Sequence, residues 1–167
     1  MRKFVFVLLA VLMAAVMFGC ASPEPSKTSD SGPAADTGKR TDVVQKDSDA
    51  TSVAREIEAK VGDIYFAFDK YDLDKTSKGK LKTLSGILSK NNVPLTVEGN
   101  CDERGTKEYN LALGDKRAAA AKQYLISLGI SSSRISTISY GKEKPICTES
   151  TEACWAKNRR DHFVVPE

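Results

Sequence analysis

No aromatic residue occurs between Cys20 and Tyr65. This gap constrains the chain more than any other feature, because a core needs large apolar side chains. Ahead of the gap, Phe4 to Phe18 is an unbroken apolar run behind Arg2 and Lys3, and it ends at Gly19 and Cys20. Fifteen residues are short for a membrane span, which takes about 20. A basic start, a short apolar middle and a small-residue end read as a secretory signal over residues 1–19; a short transmembrane anchor is the alternative. From residue 20 to about 54 the chain is rich in Ser, Thr, Asp, Pro, Gly and Lys. Such a segment buries too little to offset its ordering entropy, so it is expected to be a flexible tether. At that length a coil spans about 30–35 Å on average. Residues 55–167 are left to build one domain of ordinary size.

Within that part the pattern alternates. Ile64 to Phe68 is an aromatic, apolar run and reads as a strand. Leu81, Leu84, Ile87 and Leu88 have helical spacing within Lys80 to Ser89. Val93, Leu95 and Val97 alternate as a second strand whose start, at Pro94, is unpaired. Glu108 to Leu128 reads as a long helix stopped by Gly129. Ile135 to Tyr140, Thr151 to Lys157 and Phe163 to Val165 read as strand, short helix and strand. The order βαβαβαβ predicts an α/β sandwich with helices on one or both faces of the sheet.

The composition narrows the function. The 25 Lys and Arg exceed the 22 Asp and Glu by too little to mark a nucleic-acid binder. The single His, His162, excludes a His-rich metal site, and the four Cys include no C-x-x-C pair. Cys147 and Cys154 flank a short polar loop, and in an exported protein they are expected to form a disulfide, with two free thiols as the alternative. A zinc site from this pair and His162 has too few ligands at poor spacing. Cys101, at a strand end, reads as a buried small residue. Asp102 and Arg104 lie in the polar loop between the second strand and the long helix, where a fixed scaffold presents ligand-binding groups. Asp102 can accept from an ammonium, while Arg104 and Arg117 offer forks for a carboxylate. A zwitterionic ligand matches the set, and an ordinary loop with local ion pairs is the bland reading. Asp102 and Glu103 do not make a facing acid–base pair, since neighbours on an extended segment point to opposite sides.

Four stretches carry a family resemblance. They are Gly99-Asn-Cys-Asp-Glu-Arg-Gly-Thr-Lys-Glu-Tyr-Asn-Leu-Ala-Leu-Gly-Asp-Lys-Arg-Ala118, Ile64-Tyr-Phe-Ala-Phe-Asp-Lys-Tyr-Asp-Leu73, Ser139-Tyr-Gly-Lys-Glu-Lys-Pro145 and Asn158-Arg-Arg160. Together they resemble the OmpA-like domain in the form carried by peptidoglycan-associated lipoproteins, over roughly residues 60–165. Met17-Phe18-Gly19-Cys20 resembles the lipobox of bacterial lipoproteins, which implies a lipid on Cys20; Ala21 implies sorting to the outer membrane.

The resemblance implies an α+β sandwich with a mixed four-stranded sheet and no catalysis or cofactor. It implies non-covalent binding of peptidoglycan stems at meso-diaminopimelate, whose side chain ends in an ammonium and a carboxylate. By position, Asp102 would hold the ammonium and Arg117 the carboxylate, with Asn110, Leu113, Asp69 and Arg104 at further contacts. It also implies a TolB-like periplasmic partner and a place in the Tol-Pal envelope system; a wall anchor outside that system is the alternative. Asn100, Lys116, Asp161 and His162 depart from the family's usual residues, and Arg159 and Arg160 are expected to be structural.

Overall fold

A computed structural model of the chain describes residues 41–166, with side-chain surroundings from residue 49 onward. The expected signal, Cys20 and most of the expected tether lie outside the described residues. The first described element is helix α1, Thr41–Lys60. Val53, Ile57 and Val61 lie one helical turn apart and are buried in the main core. The folded body therefore begins ahead of residue 55, where the aromatic-free composition placed its boundary. Short β-branched side chains supply this face, so the lack of aromatics hid it.

Strand β1, Ile64–Tyr65, is shorter than the predicted Ile64–Phe68. Phe66 adds one backbone bond to Arg159, and the chain then turns away through Ala67 and Lys70. Asp69 sits in this turn at φ 58, a left-handed conformation that few residues other than glycine, asparagine and aspartate adopt. Helix α2, Lys75–Lys90, starts a turn earlier than its apolar pattern, because the Asp74 side chain caps the amide of Ser77 at 2.6 Å. Strand β2 is Leu95–Asn100, and helix α3, Lys107–Ser127, is capped by Thr106. A 3-10 turn at Ser132–Arg134 leads to β3, Ile135–Gly141, then α4, Glu152–Asn158, and β4, Arg160–Val164. The predicted order is extended by α1 at the front.

The strands form one mixed sheet in the order β1-β4-β2-β3. β2 and β3 are parallel, joined by the α3 crossover, and β4 is antiparallel to both its neighbours. Leu95, Val97, Ile135 and Phe163 face the layer of α1, α2 and α3 and form one core with it. On the other face, Asp63 holds Arg160 at 3.2 Å and His162 at 2.7 Å.

Helix α3 lies unusually close to the sheet. A Cβ on Gly99 would collide with the backbone carbonyl of Gly114, and a Cβ on Gly114 would meet Gly99 O at 2.8 Å. Beside this contact, β4 places Asp161 in register with both Ile64 and Gly99. Asp161 is fully buried, and neither carboxyl oxygen has a hydrogen-bond partner among the described residues. Burial pushes its pKa well above the usual carboxylate range, against the attraction of the Arg117 charge.

Two measurements check this packing. Gly99→Ala is expected to destabilise the domain in urea by about 1–3 kcal/mol, the cost of overpacking. Gly86→Ala, with open space around the α2 surface, should instead stabilise by about 0.5–1 kcal/mol. For Asp161 the pH dependence has a definite sign. The unfolded carboxyl ionises near pH 3.9 and the folded one only at higher pH, so this group costs stability as pH rises through that interval. The melting temperature of Asp161→Asn relative to wild type should therefore climb between pH 4 and neutrality; a constant difference would contradict a buried, proton-holding carboxyl.

Candidate functional site

The loop after β2 and the start of α3 build one wall of a cavity, and the turn after β1 builds the other. The volume is about 230 Å³, below the ~300–1,000 Å³ typical of pockets that engulf a drug-sized ligand. It suits one end-group better than a whole molecule. The six residues singled out from the sequence, Asp69, Asp102, Arg104, Asn110, Leu113 and Arg117, all line it.

Arg117 forms the floor. It is wholly buried, and its guanidinium ties three chain segments together. Nε donates to Lys70 O at 2.8 Å, and Nη1 donates to Asn100 O at 2.7 Å and to Cys101 Sγ at 3.3 Å. Nη2 makes only a long contact of 3.4 Å to Ala67 O. With two hydrogens and this one weak bond, Nη2 is the donor left for an incoming anion. Burial pulls the Arg117 pKa down from its ordinary value, but a guanidinium stays charged at physiological pH. Cys101 is a buried free thiol that donates to Asn110 O at 3.3 Å. Burial pushes it up to about 11 despite Arg117, so it stays protonated.

Asp102 is more heavily engaged than an open carboxylate. Its Oδ1 accepts from the Arg104 amide and Nε, both at 3.2 Å. Its Oδ2 accepts from Arg104 Nη2 at 2.5 Å and Arg159 Nη1 at 3.1 Å. Burial alone pushes this carboxyl up, but the bonds from Arg104 and Arg159 outweigh it and hold the pKa below the usual range. Asp69 is the second carboxylate of the cavity. It is exposed and accepts from the Tyr109 hydroxyl. Asn110 closes the loop, donating to Arg104 O at 2.8 Å and Thr106 O at 3.0 Å, and Leu113 adds an apolar wall.

Five further residues line the cavity: Cys101, read only as a buried small residue, Gly105, Phe68, Tyr109 and Arg159. Phe68 and Tyr109 belong to quoted motifs but carry no charge to mark them. Arg159, expected to be only structural, lines the cavity as well as bonding Phe66 O at 3.0 Å. Its neighbour Arg160 points to the other face, onto Asp63. The cavity thus gathers three guanidiniums and two carboxylates within one small volume. That set can neutralise both ends of a zwitterion while a polar loop and an apolar wall fix its orientation.

The sequence profile of the OmpA family matches residues 65–159, a span that includes every lining residue. A peptidoglycan-associated lipoprotein of Rhizobium meliloti (strain 1021) is 38% identical over 161 residues, covering 95% of this chain and 86% of that protein. The crystal structure of the peptidoglycan-associated lipoprotein from Burkholderia pseudomallei superposes with a TM-score of 0.61 at 40% identity, covering 63% of this chain and 90% of that one. The OmpA-like domain of FopA1 from Francisella tularensis gives 0.52 at 25% identity, covering 63% and 72%. With the OmpA profile spanning residues 65–159 and a relative 38% identical over 86% of its own length, the chain belongs to the OmpA family, among its peptidoglycan-associated lipoproteins.

Proposed function

We propose that this protein is an outer-membrane lipoprotein that holds peptidoglycan without cutting it, through the ammonium–carboxylate end of meso-diaminopimelate. The observation that carries this reading is the meeting of Asp102 and Arg117 in one small cavity, fifteen positions apart in sequence. The ammonium goes to the carboxylates of Asp102 and Asp69. The carboxylate goes to Arg117 Nη2, the least engaged donor on the cavity floor. A lipid on Cys20 anchors the chain, and the segment before α1 serves as the tether between membrane and wall. Its partners are the wall and a TolB-like periplasmic protein, in a Tol-Pal role that supports envelope integrity and division.

The physical terms suit a reversible grip. Charge-assisted hydrogen bonds contribute about 1.5–3 kcal/mol each before the cost of association. A few of them leave a net near −8 kcal/mol, in the micromolar range. Many copies held between one membrane and one wall then gain by avidity.

The electrostatics speak against a general acid at Asp102 or Glu103. Arg104 and Arg159 hold Asp102 low, and hydrogen bonds from Trp155 and Ser150 hold Glu103 low. Neither carboxyl therefore carries a proton to donate near neutral pH. Glu103 also faces a separate, smaller hollow.

The test is co-sedimentation of the full-length protein, in detergent, with purified sacculi. Asp69→Asn keeps a side chain that tolerates the left-handed backbone and removes only the charge. Asp102→Asn removes the charge at the arginine fork and also turns one accepting oxygen into a donor facing Arg104 or Arg159, so its melting temperature is measured alongside. Each should weaken binding about 10- to 100-fold with the fold intact. Arg117→Ala is a poorer probe, since it also cuts the ties to Lys70, Asn100 and Ala67. Folded Asp69→Asn and Asp102→Asn variants that sediment like wild type would overturn the assignment.

A further inference from the structure

Arg104 does not hold its fork on Asp102 unaided. Its guanidinium lies between two aromatic rings, 4.0 Å from the centroid of Phe68 and 4.1 Å from that of Trp155. Phe68 lines the wall-facing cavity, but Trp155 does not; it borders the smaller hollow beside Glu103 and Cys147. The Trp155 ring thus meets the cavity lining through Arg104, and its backbone carbonyl accepts from the Arg159 amide at 3.1 Å. Its Nε1 donates to Glu103 Oε1 at 2.9 Å, which fixes the plane of the indole.

The helix that carries Trp155 cannot hold that ring in place by itself. α4 has only 7 residues, and isolated helices below about 12–15 residues are marginal in water. Three attachments hold it. Thr151 caps its first turn. Asn158 at its end accepts from the Ile146 and Cys147 amides and donates to Cys147 O at 2.6 Å. The disulfide from Cys147 joins Cys154, the residue immediately before Trp155. α4 also sends Glu152 back to Arg159 at 2.7 Å and to Arg104 at 3.7 Å. The short helix and its disulfide therefore brace both arginines that engage Asp102.

We propose that Trp155 is a positioning residue for the wall-binding cavity, held over Arg104 by the Cys147–Cys154 disulfide. The inference rests on the wall-binding reading above. Without the ring or the cross-link, Arg104 is stacked on one face only and its long side chain regains rotamer freedom. The fork on Asp102 then loosens, and both groups are less often in place to receive a ligand. Phe68, half exposed at the cavity rim, cannot replace the lost face because it already covers the other one.

The sequence contains a single Trp, so its emission reports on this site alone. The test titrates the full-length protein in detergent with a soluble muropeptide whose tripeptide stem ends in meso-diaminopimelate. Affinity is read by calorimetry and the indole by fluorescence. Saturation of wild type should shift the Trp155 emission. Trp155→Ala and the double variant Cys147→Ser/Cys154→Ser should each raise the Kd roughly 3- to 30-fold, the span of a cation–π contact. Trp155→Phe, which keeps a ring but not the indole N–H, should fall between. Leu84→Ala, a core change on α2 with a comparable loss of melting temperature, should leave the Kd unchanged; a merely structural role for Trp155 would move all of these together. Folded Trp155→Ala and double-Ser proteins that bind within twofold of wild type would overturn the inference and leave the wall reading standing. A wild-type protein that fails to bind the muropeptide overturns both.

Discussion

The guanidinium of Arg117 joins parts of the chain that the sheet alone does not hold together. It is fully buried on α3 and reaches the carbonyls of Ala67 and Lys70 after β1 and of Asn100 at the end of β2. A buried charge is tolerated only when hydrogen bonds replace its water. Here backbone carbonyls do most of that, which leaves the group able to meet a further anion. The same bonds fix the two loops as the walls of the cavity. Structure and recognition thus draw on one side chain, and its removal would disturb both.

That arrangement requires α3 to sit low on the sheet. Gly99 and Gly114 permit it, because any side chain at either position would collide with the other strand or helix backbone. Gly141, at φ +51, serves the same approach, since a Cβ there would come within 2.8 Å of the Leu111 amide. The close approach brings Arg117 under the sheet end and Asn110 against the loop carbonyls of Arg104 and Thr106. Asp161 lies buried beside Gly99 in this tight region. Its carboxyl oxygens have no hydrogen-bond partner among the described residues, whereas His162, the next residue on β4, is paired with Asp63 on the outer face.

Much of this was legible in the sequence, for specific reasons. Leu81, Leu84, Ile87 and Leu88 declared α2, and Leu95 and Val97 declared β2, because an amphipathic period is a direct print of burial. The charges of Asp102, Arg104 and Arg117 suggested a zwitterion site, but spacing alone favoured an ordinary loop; motif resemblance tipped that reading and supplied the mixed sheet, Asp69, Asn110 and Leu113. Other features were hidden. α1 escaped because Val53, Ile57 and Val61 are small and spaced within a polar segment. The C-terminal end of β1 escaped because Phe66, Ala67 and Phe68 are as apolar as a strand, while the left-handed Asp69 turns the chain away. Asp102's engagement by Arg104 and Arg159 was invisible because Arg159 is 57 positions distant and meets it only through the fold.

The central claim is that the cavity recognises a zwitterionic end-group, with a carboxylate on Arg117. The most direct measurement compares two soluble muropeptides that differ only in the third stem residue, meso-diaminopimelate or lysine, by titration calorimetry. Lysine keeps the ammonium and lacks the carboxylate. The account predicts micromolar binding of the diaminopimelate form and a loss of roughly 10-fold or more with lysine, as a charge-assisted bond is removed. Equal affinity for the two would contradict it.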